Sequence, residues 1–277
     1  MIGIGAGDPE HITVQAINAL RRADLVFMIE KGSEADELAR VRREILARYA
    51  QGSPRIITLP DPPRDRAARD YRGAVGDWRR RRADVWEAAI AAELADDGCG
   101  AFLVWGDPAI YDSTIAVLDE ILARGNVSFD HEVIPGISSL QALAARHRIP
   151  FARVGGAVQI TTGRRLAEGL PAEADDVLVM LDSSCTFSSL AGEEIDIYWG
   201  AYVGTEDEIL VSGRVGEVAA EIERLRTEAR ERKGWVMDSY LLRRAAAPVN
   251  RDGSRNGSQA QAPDQPGSSP SGGSRRP

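Results

Sequence analysis

The sequence predicts an α/β protein in which a mostly parallel sheet is followed by a mixed sheet. The chain opens on a short apolar segment and a glycine-rich loop, Met1 to Glu10 (MIGIGAGDPE). Strand-like and helix-like segments then alternate as far as His147, whereas strand candidates after Pro150 fall at hairpin-like spacing. Alternation is typical of parallel strands joined by covering helices. We therefore expect two α/β domains, residues 1–149 and residues 150–244.

The bulk properties are those of a globular protein in a reducing cytoplasm. The chain has 43% hydrophobic residues and a net charge of −8, which argues against a general nucleic-acid binder. It shows no signal peptide and no apolar run long enough to span a membrane. Cys99 and Cys185 are far apart, so the sequence predicts neither a disulfide framework nor a metal site, and we expect both to be inert packing residues.

The first half is predicted to contain alternating strands and helices. A helix begins after Thr13, a plausible N-cap, with Val14, Ile17 and Leu20 on one face. In the long helix that follows later, Arg79 to Arg82 are expected to lie mostly on the solvated side. The predicted strands are 24–30, 101–105 and 132–134, the later helices are 75–94, 113–124 and 138–147, and 60–63 (PDPP) is a surface loop.

The second half is predicted to hold a mixed sheet and one clear helix. The strand candidates are 158–162, 177–181, 196–203 and 208–212, and the helix is 215–232. From about Ala245 onward the chain is rich in Pro, Gly, Ser and Gln with almost no large apolar residue. Such a segment buries too little surface to offset its ordering entropy, so we predict a disordered tail over 245–277.

The glycine-rich loop between Gly3 and Gly7 favours close approach of a ligand to bare backbone. It does not fit the dinucleotide fingerprint G-x-G-x-x-G, because Asp8 or Glu10 stands where the third glycine belongs. Asp8 would also repel a phosphate. An ordinary tight turn between strand and helix remains the alternative to a ligand loop.

Two further strand-to-helix junctions carry glycine and polar residues. Trp105 to Pro108 (WGDP), with Ile110 beyond it, follows one apolar strand, and Ile134 to Ser139 (IPGISS) follows another. Asp107 can accept from a hydroxyl or an ammonium group, although a simple turn explains the motif equally well. The two serines can bind a ligand or cap a helix. Because the carboxyl ends of parallel strands share one edge of a sheet, the three loops are expected to converge on one crevice.

The order GxGxGDPE, GDP and PGISS resembles the tetrapyrrole methylases. The resemblance covers residues 1–244, and the segments IEKG (29–32), ITTGRRL (160–166) and GWVMDSYLLRR (234–244) are similar to the branch of that family that serves aerobic cobalamin synthesis. It implies two α/β domains with S-adenosylmethionine (SAM) bound in the cleft between them.

The resemblance also implies which residues contact SAM. Two departures from the family pattern suggest a differently shaped floor, since Ala6 replaces a proline and Trp105 replaces a glycine. The implied contacts are Ala6, Trp105, Gly106, Asp107, Ile110, Ser138, Ser139, Leu181 and Gly204.

The activity that the resemblance implies is methylation of C-1 of precorrin-5, with loss of the acetyl group there as acetate. Methyl transfer needs mainly positioning, whereas deacetylation needs water to attack a carbonyl, which a general base assists. Our hypothesis is that Asp107 or Asp8 is that base, and the alternative is that both acids only order loops and the SAM amino group. Other polar residues expected near the mouth of the cleft, and therefore further candidates for the base, are His11, Tyr111 and Asp112.

The implied substrate is an anionic tetrapyrrole, so a basic wall is expected to face the cleft. A homodimer is expected by resemblance. We interpret the three histidines, His11, His131 and His147, as surface or capping residues. The candidates for the basic wall are Arg164, Arg165, Arg146, Arg148, Arg153 and Lys31.

Three other functions stay open at this point. Another tetrapyrrole methylase could act at a different ring carbon. A dinucleotide oxidoreductase is disfavoured by the failed fingerprint. A SAM-sensing module would bind in the same cleft without turnover.

Overall fold

Two sheets with different strand directions organise the protein. The structure is a computed structural model that describes residues 1–30, 36–52, 54–65 and 70–245 of the 277-residue chain. The predicted disordered tail therefore lies almost wholly outside the described residues, and so does Lys31.

The first sheet is parallel, as predicted. Its order is β1-β4-β2-β3, and Leu25 of β2 is in register with Gly100 of β4 and Arg55 of β3. The β3 segment was not predicted, although it contains three large apolar residues; at the edge of the sheet it buries only Leu59. The strands are β1 (Ile2–Gly3), β2 (Leu25–Glu30), β3 (Arg55–Pro60) and β4 (Gly100–Val104).

Helices cover both faces of this sheet. On one face a core forms around Leu20, Ile45 and Leu103, and on the other around Trp86 and Phe102, whose rings stack at 4.5 Å. Phe102 and Leu103 face opposite sides because successive strand residues alternate. The helices are α1 (Val14–Leu20) and α2 (Asp36–Tyr49) on the first face, and α3 (Tyr71–Glu93) and α4 (Thr114–Arg124) on the second.

Two details predicted for the first sheet are wrong. The expected strand at 132–134 is only a single bridge between Ile2 and Ile134, since Pro135 follows directly and has no N–H to continue a ladder. Val14 is 73% exposed, because the buried side of α1 is formed by Ala16, Ala19 and Leu20. Thr13 does cap the helix, its hydroxyl accepting from the Ala16 N–H at 3.0 Å.

Arg82 corrects a third expectation, because it is buried and not solvated. It lies four residues after Trp78 and four before Trp86, which places it in the buried stripe of α3. Its guanidinium forms a two-pronged ion pair with Asp61 at 2.7 and 2.9 Å and lies over the Trp78 ring. The 60–63 segment is therefore partly buried by this pair.

The second sheet is mixed, as predicted, with the order β5-β6-β9-β7-β8. Only β5 and β6 are parallel; the other neighbours are antiparallel. The central strand β9 was not predicted, and the other four follow the predicted positions within two residues. The strands are β5 (Val158–Thr162), β6 (Asp176–Met180), β7 (Ile195–Ala201), β8 (Ile209–Arg214) and β9 (Asp238–Arg244).

Three helices accompany the second sheet. Leu140 of α5 packs on Leu178 and Leu241 on one face, while Ile222 of α7 joins the larger core on the other. The helices are α5 (Ser139–His147), α6 (Gly163–Leu166) and α7 (Val215–Lys233). Met1–Ala245 form one compact unit, so the division at residue 150, which falls between α5 and β5, stays a prediction. Across the described ranges, no helix combines the length and apolarity of a membrane span.

Replacing Asp61 by Ala is expected to lower the free energy of unfolding by about 3 kcal/mol, because it leaves the Arg82 guanidinium buried without its charge partner. Urea denaturation measures this change. The matched control is Asp77→Ala on α3, the helix that carries Arg82, which breaks an exposed pair with Arg80 and should cost less than about 0.5 kcal/mol. Equal effects of the two substitutions would contradict the expectation.

Candidate functional site

The three glycine-containing loops meet at the carboxyl end of the parallel sheet. Gly5 and Gly106 exchange two backbone hydrogen bonds, at 3.4 and 2.8 Å, which joins the first loop to the second. The second loop is joined to the third by Asp107, whose Oδ2 accepts from the Gly136 N–H at 2.9 Å. The predicted convergence on one crevice is confirmed.

Glycine is required where these loops touch. A Cβ added to Gly136 would lie 2.1 Å from the carbonyl oxygen of Gly106, and one added to Gly3 would lie 2.6 Å from the Gly136 nitrogen. Gly106 also has a φ of +69°, in the left-handed region that side chains disfavour. The loops therefore pack backbone against backbone.

Asp107 uses both carboxylate oxygens inside this cluster. Besides the bond from Gly136, its Oδ1 accepts from the Ala109 N–H at 2.8 Å. Each oxygen of a carboxylate has two lone-pair sites, so neither bond exhausts its capacity. Asp107 thus fixes the shape of two loops while remaining a hydrogen-bond acceptor.

The third loop leads into a capped helix. The Ser138 hydroxyl accepts from the Gln141 N–H, and the Gln141 side chain accepts from the Ser138 N–H at 2.7 Å, forming a capping box. These hydrogen bonds confirm that Ser138, which is buried, caps the helix. Ser139 is the first helical residue and brings the positive end of α5 to the same place.

A cleft next to these loops is lined by residues from both halves of the chain. Eight of the nine residues predicted to contact the cofactor lie along it, and only Gly204 does not. The lining residues comprise Ala6, Trp105, Gly106, Asp107, Ile110, Ser138 and Ser139 from the first half, and Met180, Leu181, Val203, Met237, Asp238 and Ser239 from the second.

Gly204 lies behind the cleft, against the first loop. A Cβ there would come within 3.4 Å of the Asp8 nitrogen and 3.3 Å of the His11 Nδ1 atom. His11 is thus packed between the two halves, and its Nδ1 is buried without a hydrogen-bond partner among the described residues. Of the other histidines, His147 pairs through Nε2 with the Trp199 carbonyl, and His131 is exposed.

The remaining polar candidates are engaged locally. Asp8 is not among the cleft residues; its side chain accepts from the Glu10 N–H at 2.8 Å and caps a 3-10 turn over Pro9–His11. Asp112 accepts from the Thr114 N–H at 2.6 Å. Tyr111 is about half exposed and has a φ of +51°.

A polar network in the second wall of the cleft, which the second half of the chain forms, was missed by the sequence analysis. Asp238 accepts from the Trp199 indole and from Arg226, both at 3.0 Å, and burial raises its pKa against the opposing effect of Arg226. Asp182, which follows the cleft residue Leu181, accepts from the Tyr240 hydroxyl at 2.7 Å. Two members of the network belong to β9, the strand that no pattern predicted.

The two cysteines differ in their exposure to solvent. Burial raises the pKa of the Cys185 thiol to about 11, so it stays protonated and unreactive at neutral pH, as expected. Cys99 is exposed, because it lies in the turn before β4, and its expected packing role is therefore wrong.

The arginines predicted to form a basic wall do not line the cleft. Arg146 pairs with Glu208, Arg165 with Glu168, and the Arg164 guanidinium lies 3.6 Å from the centre of the Tyr71 ring. The others are Arg153, which lies near Asp176, and Arg148, an exposed left-handed residue at the end of α5.

A larger cavity, of about 770 Å³, lies at the amino end of the parallel sheet. Met1, Phe27, Cys99 and Glu132 are among its lining residues, and it contains none of the residues predicted to contact the cofactor. Ligands of open α/β sheets bind at the carboxyl ends of the strands. The cleft beside the three loops is therefore the candidate site.

Replacing Gly136 by Ala is expected to destabilise the fold by about 2 kcal/mol, because the added methyl group collides with the Gly106 carbonyl. Chemical denaturation measures the effect. Gly192→Ala is the control, since a Cβ there meets nothing within 4 Å, and it should change stability by less than about 0.5 kcal/mol. A harmless Gly136→Ala would show that the loops do not depend on this contact.

Comparison with known proteins gives a consistent result. Residues 1–219 match the family model of Tetrapyrrole (Corrin/Porphyrin) Methylases. The chain is 51% identical over 247 residues to a precorrin-6A synthase [deacetylating] of Sinorhizobium sp, covering 89% of this chain and 95% of the relative.

Solved structures agree in fold. A cobalamin synthesis related protein (CobF) from Corynebacterium diphtheriae superposes with a TM-score of 0.76 at 37% identity, covering 87% of this chain and 96% of that one. A uroporphyrin-III C-methyltransferase from Thermus thermophilus in complex with S-adenosyl homocysteine has a TM-score of 0.52 at 19% identity, covering 87% and 94%, and shows the fold alone. The family match, the identity and the architecture together establish that this chain belongs to the tetrapyrrole methylase family.

Proposed function

We propose that this protein is a SAM-dependent C-methyltransferase of cobalamin biosynthesis. In this proposal it methylates C-1 of precorrin-5 and releases the acetyl group there as acetate, giving precorrin-6A. The observation that carries the proposal is the 51% identity to a deacetylating precorrin-6A synthase over 95% of that relative's length. The convergence of three loops on one cleft supports it independently of that identity.

The cleft has the chemistry that a SAM site needs. Ala6, Ile110, Leu181 and Val203 offer apolar surface for the adenosyl group, and Ser139 at the start of α5 lies where a carboxylate is favoured. SAM supplies an electrophilic methyl group when bound. We propose the nine residues predicted to contact the cofactor as its site. Eight of them line the cleft, and Gly204 supports the site by packing against the first loop.

For carbon methylation the protein's task is to align the two reactants and exclude water. The ordered glycine loops provide a rigid floor for that alignment, because their backbones are joined by hydrogen bonds and by Asp107.

Deacetylation requires a different contribution. A water oxygen adds to the acetyl carbonyl carbon and gives one proton to a base. The bond between that carbon and the macrocycle then breaks, its electron pair passes to the macrocycle, and the acetyl group leaves as acetic acid, which ionises to acetate. We propose Asp107 as that base because it lines the cleft and retains free lone pairs; Asp8, outside the lining, is the second candidate.

The substrate, partners and location follow from the same proposal. The substrate is an anionic tetrapyrrole. Within the described residues, Arg164 and Arg148 are the members of the predicted basic wall that form no ion pair with a carboxylate; the Arg164 guanidinium lies over the Tyr71 ring instead. We further propose a cytoplasmic homodimer with no nucleic-acid or membrane partner.

Incubation with precorrin-5 and SAM carrying a labelled methyl carbon tests the proposed activity. We expect a product that has gained one labelled methyl group and lost one acetyl group, with acetate released in equal amount, all read by mass spectrometry. A product methylated without acetate release would instead indicate methylation at another ring carbon. Binding of SAM without turnover would indicate a SAM-sensing module.

Replacing Asp107 by Asn tests the base. Acetate release should fall about 100-fold, because a positioned base contributes at least that factor. The Kd for SAM should rise by a much smaller factor, since Asn keeps only one of the two oxygens that accept from the loops. Asp8→Asn is the comparison and should retain acetate release. A parallel loss of SAM affinity and acetate release in Asp107→Asn would show that Asp107 only orders the loops.

A further inference from the structure

Arg42 of α2 occupies a gap at the carboxyl end of the parallel sheet. The pairing of β2 with β4 ends at Phe27 and Phe102, whereas β2 continues beside β3 as far as Glu30 and Pro60. Beyond Phe27 the strands β2 and β4 are therefore no longer joined. The Arg42 Nε atom donates to the Leu103 carbonyl at 3.3 Å, where that oxygen lacks a β2 partner.

The charge of Arg42 is poorly compensated by the described residues. Burial lowers the pKa of its guanidinium, and among the described residues Asp112 opposes this effect without forming an ion pair. Among the described residues, Arg42 forms no ion pair, and its single hydrogen bond goes to a backbone carbonyl. Arg42 is half-buried, and a cation with limited access to water gains from an anionic partner.

A second donor at this corner also lacks an acceptor. The indole Nε1 of Trp105 is buried without a partner among the described residues. Trp105 lines the cleft, lies two residues after Leu103, and packs against the same core as Val41 and Ile45 of α2. Two donors beside the cleft are thus left for an acceptor that the described chain does not supply.

We propose that Arg42 binds a carboxylate of the tetrapyrrole substrate through its two Nη groups. A guanidinium fork matches a carboxylate in two parallel hydrogen bonds, while the bond from Nε to Leu103 holds the fork in place. The identity of the ligand as a tetrapyrrole rests on the proposed function. Arg42 then holds the macrocycle at the carboxyl edge of the parallel sheet, beside the cleft proposed to bind SAM.

The substitution Arg42→Met tests this inference, since it keeps an unbranched apolar stem and removes the charge and the guanidinium donors. Arg43→Met is the matched control, because Arg43 is exposed on the same helix. We expect the KM for precorrin-5 to rise at least tenfold in Arg42→Met and less than twofold in Arg43→Met, with the Kd for SAM unchanged. Arg42→Lys should lie between them, because it restores charge but not the fork.

Binding of uroporphyrin I, a stable porphyrin with eight carboxylates, gives a readout apart from turnover. Its Kd, from fluorescence quenching, should rise at least tenfold in Arg42→Met alone, with Tm within 2 °C of the parent. Equal weakening by both substitutions, no weakening, or a lower Tm with unchanged Kd would overturn the inference. If binding depends on Arg42 but no methylated product forms, the proposed function fails and this inference stands.

Discussion

The contact of bare backbone among three loops is the constraint on which the rest of the site depends. Gly3 and Gly136 approach their neighbours so closely that a single methyl group has no room, and Asp107 ties two of the loops through their N–H groups. Because these contacts are made by backbone atoms, the floor of the cleft is rigid without large side chains. That leaves space above it for a ligand, which is the physical link between the glycines and the proposed SAM site.

The second wall of the cleft is held in a different way. Leu181 projects from the end of β6 with a φ of +55°, and the next residue, Asp182, is anchored to Tyr240 of β9. Asp238, at the start of the same strand, is anchored to Trp199 and Arg226. One wall is thus fixed by backbone packing and the other by buried side-chain hydrogen bonds, which are costly to leave incomplete.

Two arginines on helices that cover the parallel sheet differ in how their charges are satisfied. Arg82 is matched by Asp61 and Ser113, so its charge and its hydrogen bonds are satisfied within the fold. Arg42 is half-buried, and among the described residues it has one backbone acceptor and no ion pair, at the carboxyl edge of the parallel sheet. The charge of Arg82 is satisfied within the fold, whereas that of Arg42 is available for the proposed binding of an anion.

The sequence by itself determined the parallel first sheet, the mixed second sheet and the three loops, because these depend on local periodicity and on glycines next to strands. It did not predict the helix α2, the exposed edge strand β3 or the central strand β9. The ends of β9 carry charged residues that obscure its apolar run. Nor did it distinguish Arg82 and Arg42 from solvated arginines. Burial and pairing of a long side chain depend on residues distant in the chain, and only the tertiary structure brings those together.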